Sequence, residues 1–183
     1  MRPGASARTL GSVTIHAEHP FLDPDPDPVR RLRGRLGGVV TLWTAGDEDD
    51  RAGLTVSSLM VANGEPPRVL ALLDPDSDLA DVLGRTGRGV VQLLAWEHRD
   101  LAEAFAGTAP APGGPFRMGA FEPTAWGPRL VGADTWAGVS VESTTPVGWS
   151  ILVTCVLDEV SVGDEGQPLI HRRGRWLRPE EGR

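Results

Sequence analysis

The segment from Gly53 to Ser77 constrains the fold most, because two apolar strand-like runs there each end in a hydroxyl-bearing or acidic corner. The first run is Gly53-Leu54-Thr55-Val56-Ser57-Ser58. A Glu65-Pro66-Pro67 turn follows, and the second run, Val69 to Leu73, ends at Asp74-Pro75-Asp76-Ser77. Apolar runs bounded by turn residues predict short β strands. Such corners can supply hydroxyl and backbone N–H groups to a phosphate or polyhydroxyl ligand. Most serine-rich turns, however, have only the structural role of reversing the chain.

Further apolar runs extend the β pattern along the chain. Gly38–Thr44 and Leu54–Ala62 are expected to pair antiparallel across the charged loop at residues 46–50. Other predicted strands cover Val69–Leu73, Val90–Leu94, Trp136–Glu142 and Trp149–Val162. Short helices are predicted from the Asp27-Pro28 cap to about Leu36, over Ser77–Arg85 and over Glu97–Phe105.

The order of these elements favours one fold class. The chain has no alternating βαβ rhythm and no strand–Gly-x-Gly-x-x-Gly–helix unit, so a Rossmann fold is not expected. A mainly β fold, a small closed antiparallel barrel with a few short helices, fits residues 28–183. Residues 1–27 are expected to form a flexible Pro/Asp-rich arm, because the Asp23–Pro28 repeat favours extended backbone. Val13-Thr14-Ile15 could add a short edge strand to a partner subunit.

Composition excludes several function classes. The formal net charge of −7 argues against a general nucleic-acid binder. All 18 basic residues are arginine, which excludes Schiff-base chemistry and the Walker phosphate lysine. No membrane-spanning or signal segment is expected, so we predict a cytoplasmic protein. The one dense basic patch comprises Arg172, Arg173, Arg175 and Arg178. We expect it to be a solvated tail, a subunit contact or a site for an anion.

Several residues that could carry chemistry have simpler interpretations. His16 and His19 precede Pro20, so a surface arm is favoured over a metal site, and no metal ligand is predicted. Cys155, the single cysteine, lies in an apolar run and is expected to be a buried, inert thiol. His98 is expected at a helix start rather than as a proton donor. The sequence does not support an acid/base pair at Asp74 and Asp76, and it lacks the Gly-x-Ser-x-Gly motif of serine hydrolases. No catalytic side chain is therefore predicted.

Taken in order, the motifs resemble the flavin reductase-like family of FMN-binding split barrels. The resemblance covers roughly Arg31 to Trp176 and rests on segments in the family's order. These are Gly38-Val39-Val40-Thr41-Leu42, the Gly53–Ser77 segment, the helix Arg99–Gly107 ending in Phe-Ala-Gly, Trp126–Ala133 with Trp136, and the closing segment Pro168–Trp176.

The resemblance implies a site and its ligands. Thr55, Ser57 and Ser58 would meet the ribityl and phosphate groups of FMN or FAD, with the Val56 backbone against the ring. Asp74 and Ser77 would close the phosphate end. Leu79 stands where the family often has a further threonine. The resemblance also implies a homodimer with the flavin at the subunit interface, and NADH or NADPH as electron donor.

The chain departs from the family at Pro146-Val147-Gly148-Trp149-Ser150, where active reductases usually carry Gly-Asp-His-Thr. Trp149 could stack on nicotinamide in place of that histidine, or it could block that face. His171, beside the closing segment, could contact flavin or nicotinamide, or only pack against its neighbours. Trp43, Trp136 and Trp149 are otherwise expected in the core or at a subunit interface.

Three functions follow from these observations. The first is an NAD(P)H:flavin oxidoreductase that supplies reduced flavin to a monooxygenase. The second is a flavin-binding split-barrel protein with a different electron donor, which the substitution at Trp149-Ser150 would allow. The third is a non-catalytic flavin-binding or dimerisation module. None of the three requires nucleic acid or a membrane.

Overall fold

A computed structural model describes residues 27–164 and 166–178. In this part of the chain the helices are α1 (Pro28–Leu36), α2 (Asp78–Thr86) and α3 (Arg99–Phe105), with 3₁₀ turns at Trp96–His98 and Pro115–Met118. The strands are β1 (Gly38–Val39), β2 (Thr41–Ala45), β3 (Ala52–Val56), β4 (Leu59–Ala62), β5 (Arg68–Leu73), β6 (Arg88–Leu93), β7 (Phe121–Pro123), β8 (Pro128–Leu130), β9 (Trp136–Val147), β10 (Ser150–Ser161), β11 (Ile170–Arg172) and β12 (Arg175–Leu177). The predicted mainly β fold with a few short helices is confirmed.

Seven strands form one curled sheet in the order β3-β2-β6-β9-β10-β5-β4, and every pairing in it is antiparallel. Its edge strands, β3 and β4, are consecutive in the chain and are joined only by Ser57 and Ser58. Because so short a link holds the two edges together, the sheet must curl into a barrel with a seam at this link. Two small sheets, β1-β11-β12 and β7-β8, flank it.

Two hydrophobic clusters fill the molecule, and β2 separates them. Its side chains alternate, so Trp43 and Ala45 join the cluster that the barrel strands form with α2, whereas Leu42 faces the cluster formed with α3. All five residues of β2 are therefore buried. The predicted burial of Trp43 and Cys155 is confirmed, since both side chains are fully buried.

The sequence predicted element types better than their boundaries. The antiparallel pairing of β2 with β3 is confirmed, and so is the helix capped by Ser77. The single strands expected over Gly38–Thr44 and Leu54–Ala62 are wrong, because each is broken in two. The first break occurs at Val40, whose N–H and C=O pair with Leu169 and Leu94 instead of with the barrel sheet. The predicted arm, with His16, His19 and the Val13–Ile15 strand, lies outside the described residues.

Other expected boundaries also shift. The helix expected over Glu97–Phe105 is a 3₁₀ turn followed by α3, and the strand expected to end at Glu142 continues to Val147. β9 and β10 therefore form a long hairpin whose tip projects beyond the core. No helix in the described ranges is long and apolar enough to cross a bilayer.

Candidate functional site

A cavity of about 570 Å³ lies beside the barrel seam, where three parts of the chain meet. They are the β3–β4 link, helix α1 and the β11–β12 hairpin. Six of the residues predicted from sequence line this cavity, namely Thr55, Val56, Ser57, Ser58, Asp74 and His171. Ser77 and Trp149, which were also predicted, are outside its lining.

The hydroxyl groups at the β3–β4 link are engaged differently. Thr55 Oγ1 donates to the carbonyl of Ala102 on α3 at 2.7 Å, so this hydroxyl ties the helix to the sheet. Ser58 Oγ donates to the carbonyl of Leu72 at 2.8 Å. Ser57 is exposed, and its hydroxyl has no hydrogen bond within the described part of the chain. Ser57 is therefore the side-chain hydroxyl most available to a ligand.

The acidic corner after β5 is built as a helix cap. Ser77 Oγ donates to the carbonyl of Asp74 at 2.7 Å and accepts from the N–H of Ala80 at 3.3 Å, which caps the N-terminus of α2. Asp74 Oδ1 accepts from the N–H of Asp76 at 3.0 Å. The polar side chains of this corner thus stabilise the turn itself. The phosphate role of Ser77 stays a prediction.

Helix α1 forms the opposite wall. Asp27 caps it by accepting from the N–H of Val29 at 2.9 Å, and Pro28 is its first residue. No residue of α1 is buried, so hydrophobic packing does not fix its position. Instead, the N–H of Arg173 donates to the carbonyl of Gly34 at 2.8 Å, and Arg172 Nε donates to the carbonyl of Arg35 at 3.2 Å. The β11–β12 hairpin therefore holds α1 over the cavity.

Two arginines on α1, Arg30 and Arg33, line the cavity, and the sequence prediction missed both. Their i, i+3 spacing in a predicted helix was a usable signal, because it places both side chains on one helix face. What the sequence did not provide was the position of the helix. The basic patch at the C-terminus contributes through Arg172 and Arg173, which anchor α1.

His171 packs against its neighbours, one of the two roles expected for it, and its contact with flavin or nicotinamide stays a prediction. Its ring packs edge-on against Trp176 with centroids 5.0 Å apart, and it also lines the cavity. Burial lowers the pKa of His171 below its usual value, and the nearby charge of Arg33 lowers it further. The adjoining turn at Arg173 and Gly174 has positive φ at both residues, as a tight two-residue hairpin requires.

Trp149 lies at the tip of the β9–β10 hairpin and is 97% exposed. Of the two environments expected for Trp149, the core is wrong, because the hairpin extends past the other strands, and the subunit interface stays a prediction. Ile151 of β10 pairs with Leu73 of β5, so the tip projects past the corner at Asp74. Trp149 is thus near one end of the cavity but does not contact it.

The remaining titratable candidates are structural. Burial, with a smaller contribution from Asp158, raises the pKa of Cys155 to about 12, so its thiol is expected to be inert. His98 lies at the N-terminus of α3, where its Nδ1 accepts from the N–H of Ala95 at 3.1 Å, and burial lowers its pKa. The described ranges contain no cluster of three or more potential metal ligands. The cavity is therefore lined by hydroxyl groups, by arginines and by a histidine whose pKa is lowered, groups that can bind a ligand.

Comparison with known proteins relates the chain to a family. The pattern described as "Flavin reductase like domain" matches residues 33–178. The chain is 30% identical over 148 residues to the FMN reductase (NADH) RutF of Ancylobacter novellus, covering 80% of this chain and 81% of the relative. It is 26% identical to an NADH-dependent FMN reductase of Streptomyces nodosus subsp. asukaensis, covering 93% and 94%. The styrene monooxygenase flavin reductase of Pseudomonas putida S12 superposes with a TM-score of 0.74 at 25% identity, covering 85% and 99%.

Proposed function

The chain belongs to the flavin reductase-like family, and from this premise we propose that it is a flavin reductase that transfers a hydride from NADH to FMN or FAD. The observation that carries the proposal is the cavity at the barrel seam. It brings together six residues that the family resemblance predicted, in a fold shared with flavin reductases.

The cavity residues fit a flavin. Its volume of about 570 Å³ is within the range of roughly 300–1,000 Å³ that small-molecule sites occupy. Ser57 offers a hydroxyl that no residue in the described ranges engages, and Arg30 and Arg33 offer cations for a phosphate. Leu36 and Leu54 supply apolar surface for a ring system, whereas the side chain of Val56, which also lines the cavity, is buried in the core.

When bound, a flavin supplies the hydride acceptor. The protein then has to bind and orient two ligands and exclude water, and it needs no strong acid or base. This agrees with the lining, where burial lowers the pKa of His171. Its lowered pKa keeps the imidazole neutral near pH 7, so it can act as a hydrogen-bond donor or acceptor toward a ligand.

The donor side of the site centres on Trp149. In relatives named FMN reductase (NADH) the donor is NADH, and we extend this donor to the present chain. Trp149 and Ser150 stand where the family's usual pattern has Asp-His, and the exposed indole offers a flat face for nicotinamide. The second candidate, a flavoprotein with another electron donor, is favoured by this same substitution.

A second copy of the chain is proposed to complete the site. Exposed apolar side chains lie on α1, at Val29, Leu32 and Leu36, and on β4, at Met60 and Val61; α1 lines the cavity and β4 follows the Ser57–Ser58 link. An exposed apolar patch of this kind is typical of a protein–protein contact. A homodimer would cover these residues and bring a partner surface to the flavin.

The biological setting is proposed from relatives. One relative is the 4-hydroxyphenylacetate 3-monooxygenase reductase component of Pseudomonas aeruginosa, 22% identical over 156 residues. We propose that this chain likewise supplies reduced flavin to a monooxygenase in the cytoplasm. Residues 28–183 would form the reductase domain and residues 1–27 an N-terminal arm.

The test is anaerobic mixing of the protein with equimolar FMN, followed by NADH or NADPH. Loss of oxidised-flavin absorbance much faster than in a protein-free control supports the reductase and identifies its donor. If FMN binds but neither nucleotide accelerates its reduction, the second candidate function replaces the first. Absence of FMN binding would contradict both and leave the non-catalytic module.

A further inference from the structure

One surface of the protein concentrates positive charge. The formal net charge of the chain is −7, yet helix α1 and the β11–β12 hairpin carry only arginines as charged residues. The hairpin holds α1 through hydrogen bonds to the carbonyls of Gly34 and Arg35, so these like charges lie on two adjoining elements. We call the arginines within residues 30–35 and 172–175 the arginine patch.

The described part of the chain does not neutralise this patch. In the described ranges no arginine of α1 forms an ion pair, and neither does Arg172 or Arg175. Arg31 and Arg35, one helical turn apart, repel each other. The first turn of α1 contains no acidic residue, although the helix dipole favours one there. Since no residue of α1 is buried, an anionic partner is needed to offset this repulsion.

The segment that leads into α1 is acidic. Residues 9–29 contain Glu18, Asp23, Asp25 and Asp27 but no arginine or lysine. Residues 1–26 lie outside the described residues, and the described chain begins at Asp27, which caps α1. The acidic residues are therefore tethered directly to the helix that carries half of the patch. Such a tether gives them a high effective concentration at the patch.

The length of the segment is sufficient. Helix α1 has nine residues and is about 13 Å long. The chain from Glu18 to Asp27 can span about 28 Å when it is extended at about 3.1 Å per residue. It can therefore return along α1 as far as the hairpin. Asp25 stays close to the first turn, where side chains tilt back toward the helix N-terminus.

We propose that residues 18–25 bind in cis along the arginine patch and hold α1 against the β11–β12 hairpin. The carboxylates of Glu18, Asp23 and Asp25 pair with guanidinium groups, which can donate two parallel hydrogen bonds to one carboxylate. Because α1 forms one wall of the cavity, this contact fastens that wall. The inference goes beyond the proposed function and does not depend on it, since neither flavin nor NADH takes part.

The first test measures the Tm of a variant that combines Glu18→Gln, Asp23→Asn and Asp25→Asn. Removing negative charge from an acidic chain lowers its general self-repulsion, so without the proposed contact the Tm should stay constant or rise. The contact predicts instead a fall of about 2–4 °C in about 20 mM NaCl. The difference should shrink in about 500 mM NaCl, where the Debye length is only about 4 Å.

The matched control removes the same charge elsewhere, by Glu48→Gln, Asp49→Asn and Glu159→Gln. These three side chains are exposed and form no hydrogen bond or ion pair within the described ranges. The Tm of the control should not fall. A control that is destabilised as much as the Glu18, Asp23 and Asp25 variant would overturn the inference.

The second test locates the segment. Cys155 is the single cysteine and is buried, so Ala17→Cys provides one reactive thiol for a nitroxide label. In about 20 mM NaCl the label should broaden the amide NMR signals of residues 170–177. The broadening should weaken in about 500 mM NaCl, and also when Arg31→Gln and Arg175→Gln are introduced together.

The remaining outcomes identify other occupants of the patch. Absence of broadening, together with an unchanged Tm in the first test, overturns the inference. Broadening that appears only between labelled and isotope-enriched copies in a mixed sample overturns the placement in cis in favour of a second copy. A fall in Tm for Glu180→Gln with Glu181→Gln, but not for the Glu18, Asp23 and Asp25 variant, assigns the patch to the C-terminal residues instead. Because no ligand is used, these results stand apart from success or failure of the flavin assay.

Discussion

Thr55 and Ser57 lie two residues apart at the end of β3, and replacing their hydroxyls should have opposite consequences. In Thr55→Val the hydrogen bond to the carbonyl of Ala102 is lost. That carbonyl still accepts from the N–H of Ala106 at 2.9 Å, so it keeps one partner. The loss should therefore be the net value of one hydrogen bond, about 0.5–1.5 kcal/mol in the free energy of unfolding.

For a domain of this size, 1 kcal/mol corresponds to a fall in Tm of roughly 2–4 °C, which thermal unfolding can measure. Ser57→Ala removes an exposed hydroxyl without a partner in the described ranges, so stability should change by less than about 0.5 kcal/mol. FMN affinity should instead fall by about 2- to 10-fold, the value of one neutral hydrogen bond, in a fluorescence titration. The reasoning is refuted if Thr55→Val weakens FMN binding at unchanged Tm, or if Ser57→Ala lowers the Tm at unchanged affinity.

Three further predictions concern the body of the fold. Gly138→Ala should destabilise the protein by about 1–3 kcal/mol, because its Cβ would clash with the indole of Trp126; an unchanged Tm would contradict this contact. Cys155 should resist alkylation in the folded protein and react after denaturation, since its thiol is buried with a pKa of about 12; rapid native labelling would disprove its burial. The pKa values of His98 and His171 are lowered by folding, so the unfolded state binds more protons and stability should fall as pH drops below about 6.5. Thermal unfolding between about pH 7.5 and 5.5 should show this fall, and His98→Gln combined with His171→Gln should reduce it.

Local signals in the sequence predicted those parts of the site that depend on neighbouring residues. Ser77 ahead of an amphipathic stretch predicted the cap of α2, and Asp27-Pro28 predicted the start of α1. The six predicted lining residues, four in the segment Thr55–Ser58 together with Asp74 and His171, followed from the family resemblance and not from local signals alone. Periodicity did not reveal the break at Ser57, because the residues on both sides are apolar and form strands.

The rest depends on contacts between distant segments. Arg33 reaches the cavity because the hairpin at residues 170–177 holds α1, and no local pattern connects these segments. Trp149 was expected in the core or at a subunit interface because it lies in a predicted strand, but the length of the β9–β10 hairpin places it outside the core. Sequence signals therefore identify candidate groups, whereas tertiary contacts decide which of them face the same cavity.

The central claim is that the cavity between α1, the β3–β4 link and the β11–β12 hairpin holds the flavin. A crystal structure of the protein with FMN tests it most directly. We predict FMN density in this cavity, with the ribityl chain beside Ser57 and Ser58. FMN bound elsewhere, for example in the smaller pocket of about 170 Å³ between the Gly46–Arg51 loop and Phe121–Pro128, would contradict the account.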